Sequence, residues 1–219
     1  MALPVIIIAG IAISSFLAWK LRRKKFRLAV LGARCTGKTT LIESWRGTWV
    51  EDPDRTLIPK TYDKTKLTVD GLRLTFVKLG DLSGEVNSWP QWEDRVKDSR
   101  YLLYLVDARM LAGLPMSEER TWYRVEDDAG QISSNWLKAS LVHLCLLVVT
   151  HTDEDPRQAG LSAGAYHDLI ARQLDPIVLR MGGDRLVRTV IGCLKDPKSA
   201  EETTSKIMKH IVGFEKELK

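Results

Sequence analysis

Residues 32 to 39 read Gly-Ala-Arg-Cys-Thr-Gly-Lys-Thr and directly follow the apolar run Phe26 to Leu31. This is a complete GxxxxGK[ST] phosphate loop, set between an apolar strand candidate and the start of a helix. Glycines at both ends let backbone N–H groups wrap a polyphosphate, while Lys38 reaches its outer phosphates and Thr39 offers a hydroxyl to Mg²⁺. The helix opening at about Lys38 turns its positive end toward the same anion.

Ahead of the loop, Ala2 to Trp19 carries no charge. As a helix it would span about 27 Å, against a bilayer core of about 30 Å. Lys20, Arg22, Arg23, Lys24, Lys25 and Arg27 follow the run, whereas a cleaved secretory signal carries its positive charge before it. The expectation is a retained transmembrane anchor (1–19), a basic juxtamembrane segment (20–25) and a cytosolic domain (26–219). The topology fits a bacterial inner membrane and the endoplasmic reticulum alike. The formal net charge of +5 is accounted for by those six cations, so the basic balance points to anionic lipid heads and not to nucleic acid.

About 190 residues remain after the anchor, enough for one domain with a sizeable core. Cys35, Cys145 and Cys193 have no framework spacing and read as reduced thiols. Short apolar runs at Phe26 to Leu31, Tyr101 to Val106, Val142 to Val149 and Leu186 to Ile191 alternate with helical patterns, as in a parallel sheet covered by helices. Lys66 to Val69 and Arg73 to Leu79 flank Asp70-Gly71, which predicts an antiparallel hairpin. The stretch from Val50 to Lys64, with Pro53 and Pro59, shows no periodicity. Trp122, Val125, Ala129, Ile132 and Trp136 form one apolar helical stripe, and Ile207, Ile211, Phe214 and Leu218 another; both read as core.

Two further segments carry chemistry. Asp81-Leu82-Ser83-Gly84 closes the second hairpin strand, where a carboxylate holds Mg²⁺ and a glycine N–H meets a terminal phosphate in P-loop proteins. Thr150-His151-Thr152-Asp153 ends a later strand, where an aspartate can accept two hydrogen bonds from the N–H groups on the edge of guanine. Adenine lacks that donor pair.

With these elements in this order, residues 26 to about 219 resemble small GTPases of the Ras and Arf superfamily. Ile58-Pro59-Lys60-Thr61 resembles the effector-loop segment of Arf-like members, and the anchor ahead of the domain resembles the arrangement in signal-recognition-particle receptor beta subunits. The resemblance implies an α/β, three-layer fold with a mostly parallel six-stranded sheet, one antiparallel hairpin strand and a preceding transmembrane helix. It implies GTP/GDP and Mg²⁺ as ligands. Gly32, Arg34, Cys35, Thr36, Gly37, Lys38, Thr39 and Thr40 would form the phosphate site, with Gly84 at the γ-phosphate. Thr150, His151, Asp153, Cys193 and Leu194 would form the base site. Thr39, Asp81 and Thr61 would ligate Mg²⁺, Thr61 fitting the switch spacing better than Thr56 or Thr65. Catalysis would involve Lys38, Thr61 and Glu85.

The sequence departs from the family at several positions. Glu85 stands where many members have the glutamine that orients water, and an ionised carboxylate cannot donate a hydrogen bond, so slow hydrolysis is expected. His151 replaces the usual lysine, leaving a ring that can stack without permanent charge. Cys193-Leu194-Lys195 is a loose relative of Ser-Ala-Lys, and Arg34 reads as a solvated side chain in preference to an arginine finger. Cys35 and Cys193 read as small residues in tight turns before a redox pair.

The resulting expectation is a membrane-anchored GTP switch acting on a protein effector or receptor partner, with homo- or heterodimers through the switch regions as one form. Trp89 and Trp92 suit either a partner anchor or core cover. A docking platform with permanently bound nucleotide is the alternative that Glu85 motivates. An ATP-using P-loop enzyme would need an acceptor site and usually a lid, and no arginine-rich lid stretch is present.

Overall fold

The computed structural model describes residues 7–8, 25–49, 60–69, 72–81, 84–85, 89–114, 116, 120–136 and 144–217. In chain order the elements are β1 (Ile7–Ile8), β2 (Lys25–Gly32), α1 (Lys38–Arg46), β3 (Lys60–Val69), β4 (Leu72–Asp81), α2 (Trp89–Asp98), β5 (Tyr101–Asp107), the single turn α3 (Ala108–Leu111), α4 (Trp122–Trp136), β6 (Leu144–Thr150), α5 (Ala163–Arg180), β7 (Val187–Ile191) and α6 (Pro197–Glu217). Two short 3₁₀ turns, Thr152–Glu154 and Pro156–Gly160, connect β6 to α5.

The sheet order is β1-β3-β4-β2-β5-β6-β7. Its body, β4-β2-β5-β6-β7, is all parallel and five-stranded, as in Rossmann-like doubly wound folds. Beside β4 lies β3, antiparallel to it in a register running from Lys60 opposite Asp81 to Val69 opposite Leu72. The six-stranded sheet behind a membrane helix is therefore corrected to this five-strand parallel body with the β3 and β1 edge beyond it.

The membrane expectation is corrected as well. Ile7 and Ile8 pair in parallel with Thr68 and Val69, and among the described residues no helix is long and apolar enough to cross a membrane. β-branched Ile7 and Ile8 suit a strand as well as a lipid helix, and the side of β3 away from β4 supplies their backbone partners. The rest of the expected anchor, and Lys20, Arg22, Arg23 and Lys24, lie outside the described residues. Lys25 and Arg27 belong to β2, and Arg27 pairs with Asp98 at the end of α2. The single-pass, cytosol-facing placement falls with the helix.

Alternation along the parallel strands builds two cores. Leu28, Val30, Leu103, Leu105, Leu146 and Val148 face α1 and α6, where they meet Leu41, Ile42, Trp45, Ile207, Met208 and Ile211. The intervening Ala29, Leu31, Leu102, Tyr104, Leu147 and Val149 face α2, α4 and α5. Every residue of β5 and of β6 is buried, as central strands covered on both faces require. Gly47, left-handed at φ 79°, ends α1 with its N–H on the carbonyls of Glu43 and Ser44, a glycine C-cap.

β3 starts at Lys60, within the stretch whose sequence shows no periodicity, because the ladder to β4 runs the full length of both strands. Thr61 is thus a strand residue opposite Gly80. The expected turn residues Asp70 and Gly71 lie outside the described residues.

Candidate functional site

In a doubly wound sheet, neighbouring strands whose connections leave to opposite faces open a crevice at their C-terminal ends. Here those strands are β2 and β5, with Gly32 in register with Leu105, and the phosphate loop begins at that point. A Cβ on Gly32 would lie 2.5 Å from the Leu105 carbonyl oxygen, so only glycine lets the loop leave β2 here. Cys35 at φ 55° and Gly37 at φ 85° bend the backbone back on itself, and such left-handed turns gather N–H groups around an anion. Thr36 fixes the bend, its hydroxyl donating to the Ala33 carbonyl at 3.0 Å.

Lys38 is buried. Its ammonium crosses the loop, donating to the carbonyls of Gly32 at 3.0 Å and Ala33 at 2.7 Å. Thr39 is half-buried and Thr40 buried on the first turn of α1, and Arg34 is half-buried on the loop.

The segment after β6 is tied to this loop. Thr150 donates to the carbonyl of Thr36 at 3.0 Å and, less closely, to that of Val106. His151, left-handed at φ 53°, places Nε2 3.1 Å from the Cys35 carbonyl and Nδ1 3.0 Å from Glu154 Oε1. Both ring nitrogens thus face oxygen acceptors. Glu154 continues to Arg109, whose guanidinium also pairs with Asp107, as does that of Arg120. Burial alone would push the Asp107 carboxyl up, but the Arg109 hydrogen bonds and nearby positive charge outweigh it and hold it below its ordinary value.

Asp153 is held from the next loop. Cys193 donates its thiol to Asp153 Oδ1 at 2.8 Å; burial, then this bond, pushes the thiol up from its ordinary value and keeps it a neutral donor. Thr203 of α6 anchors the same loop, donating to the Cys193 carbonyl at 3.0 Å, while Thr152 donates to Gly192 at 3.1 Å. Leu194 packs on Gly37, where a Cβ would come within 2.8 Å of its Cδ1.

Gly84 sits against the phosphate loop from the other side. A Cβ there would fall 2.5 Å from the Ala33 carbonyl carbon and the Arg34 nitrogen. Asp81, at the end of β4, has its backbone beside Val30 of β2 and Lys60 of β3; its side chain and that of Thr61 lie outside the described residues. Glu85 is half-buried.

Residues without a motif complete the site. Arg124 of α4 donates to the Gly84 carbonyl at 3.1 Å and to Asp128 at 2.7 Å. Asp128 also accepts from Trp89 Nε1 at 2.7 Å and from the Tyr104 hydroxyl at 2.9 Å. Burial pushes the Asp128 carboxyl up against the pull of Arg124, and pushes the Tyr104 phenol well above its ordinary value. Trp92 is a core residue, and Trp89 packs against the same cluster with its ring under Arg124. The one sequence signal for this pair was an opposite-charge i,i+4 step beside the apolar stripe of α4.

The arrangement offers an anion cradle with a lysine across it, a carboxylate held at a fixed place beyond it, and a glycine backbone at its rim. No protein-family model matches the chain, and no curated protein does.

Proposed function

We propose that the chain is a guanine-nucleotide switch that binds GTP and GDP with Mg²⁺, hydrolyses GTP slowly and signals to a protein partner. The observation that carries this reading is the convergence of three sequence-distant segments on one loop. Thr150 and His151 bond to the carbonyls of Thr36 and Cys35, Leu194 covers Gly37, and Gly84 rests on Ala33 and Arg34. Such a cradle fits a polyphosphate, and Asp153, with its carboxylate braced by Cys193, suits the two N–H groups of guanine.

In this reading Lys38 exchanges its loop carbonyls for phosphate oxygens, a charge-assisted gain. Thr39 and Asp81 complete a Mg²⁺ site together with the nucleotide's own oxygens, since such sites take few protein ligands. The Gly84 N–H meets the terminal phosphate, so that strand β4 and helix α2 respond to its presence. A carboxylate at Glu85 has no N–H to offer an attacking water as an amide would, and this is why the reading expects slow turnover.

Lys38→Ala and Asp153→Ala test the assignment. Each is expected to weaken displacement of a fluorescent guanine nucleotide by at least about 100-fold, the scale of losing a charge-assisted contact. Unchanged affinity in both would overturn it. A single-turnover assay then separates a slow hydrolase from a platform that holds nucleotide permanently, through release of phosphate or its absence.

A further inference from the structure

The network around Arg124 asks for a function beyond packing. Arg124 is 5% exposed, and its Nη1 is a buried nitrogen with no hydrogen-bond partner among the described residues. The burial of this charge is offset by its ion pair with Asp128, and a buried pair is weak evidence of a purely stabilising role. Its other two nitrogens reach two different elements: Nη2 takes the carbonyl of Gly84, and Nε takes Asp128. The carboxylate of Asp128 is filled by three donors from three elements, Trp89 on α2, Arg124 on α4 and Tyr104 on β5. The guanidinium lies 5.6 Å from the Trp89 ring centroid and 6.0 Å from that of Trp92, within range of cation–π attraction.

A carbonyl gripped in this way fixes the plane of the Gly84–Glu85 peptide and so the position of the Gly84 Cα within it, from which the Gly84 N–H projects. Gly84 is the place where this matters, since its backbone lies against Ala33 and Arg34 of the phosphate loop. We propose that Arg124 is a positioning residue of the nucleotide switch, setting the Gly84–Glu85 peptide over the phosphate loop and, through Asp128 and Trp89, making helix α2 move with it. The inference rests on the guanine-nucleotide reading above and adds how a terminal phosphate is communicated outward. Loss of Arg124 frees Gly84 from α4 and uncouples α2 from the loop. The contacts that the guanine-nucleotide reading gives to GDP, at Lys38 and Asp153, lie outside this network.

The experiment measures affinity for GDP and for a non-hydrolysable GTP analogue, with Mg²⁺, in the wild-type chain, Arg124→Gln, Arg124→Lys and Trp89→Phe. Arg124→Gln is expected to weaken the GTP analogue about tenfold, an ordinary coupling strength, and to leave GDP within about twofold. Arg124→Lys should recover part of the loss. Trp89→Phe, which keeps an aromatic ring but removes the donor to Asp128, should shift the ratio in the same direction by about threefold and serves where a buried arginine variant does not fold. An unchanged ratio in the folded variants, or equal losses for both nucleotides, would overturn the proposal while leaving the nucleotide site standing. Failure of the wild-type chain to bind either nucleotide would overturn both.

Discussion

At the scale of single residues, the site depends on a few atoms whose replacement has a stated sign. Cys193→Ser keeps a donor for Asp153 and should leave guanine affinity unchanged, whereas Cys193→Ala removes it and should cost about tenfold, read by the same nucleotide displacement. Gly84→Ala drives a methyl into the Ala33–Arg34 backbone and should lower affinity for a GTP analogue more than for GDP. The tight turn at residues 32 to 39 was legible from sequence because its geometry is local: its glycines and Lys38 lie within eight consecutive residues. Arg124 was not, because its partner Gly84 lies on another element and only the fold brings them together. The expected role of His151 beside a base is a proposal; the bridge it makes between the Cys35 carbonyl and Glu154 depends on a left-handed backbone, uncommon outside glycine, that the sequence reading did not anticipate.

At the scale of elements, α6 is the strut behind the loop at Cys193. Trp45 of α1 donates its indole N–H to Thr204 at 2.8 Å, both buried, and Arg100 and Tyr101 bond to Glu215 near the other end of α6. Thr204→Val keeps the volume but leaves the indole N–H without its acceptor, so a loss of about 1–3 kcal/mol in urea denaturation is expected, with nucleotide affinity unchanged in the folded protein. Lys206 donates to the Ile191 carbonyl at 2.7 Å, covering a group on the outer strand β7, a common guard against edge pairing. The central strands β5 and β6 were readable as apolar runs because burial on both faces demands them. The membrane helix was expected because uncharged, β-branched residues such as Ile7 and Ile8 suit a lipid helix and a sheet edge equally, and only their pairing with β3 distinguishes the two. The start of β3 was missed because a ladder, not an alternating pattern, defines it.

At the scale of the whole molecule, stability should fall in acid in two segments. Burial, with a contribution from Arg188, holds His210 below its ordinary value, so the unfolded chain takes up this proton first and stability declines as pH drops below about 6.5. Asp107 and Asp155 are held down by Arg109 and Arg157 against the opposing push of burial. Their share is intact above about 3.9 and lost as pH falls through their lower folded values. Asp128, raised by burial, works in the opposite sense over the carboxylate range, which makes the His210 segment the cleaner test: His210→Gln should flatten the denaturation midpoint between about pH 6.5 and 5. The central proposal is that the crevice between β2 and β5 holds a guanine nucleotide. The most direct measurement is a competition titration on the full chain with Mg²⁺, in which a fluorescent guanine nucleotide is displaced by GTP, GDP or ATP. Displacement by GTP and GDP, with ATP at least about 100-fold weaker as unpaired base edges require, is the predicted result; equal displacement by ATP, or no binding at all, would contradict it.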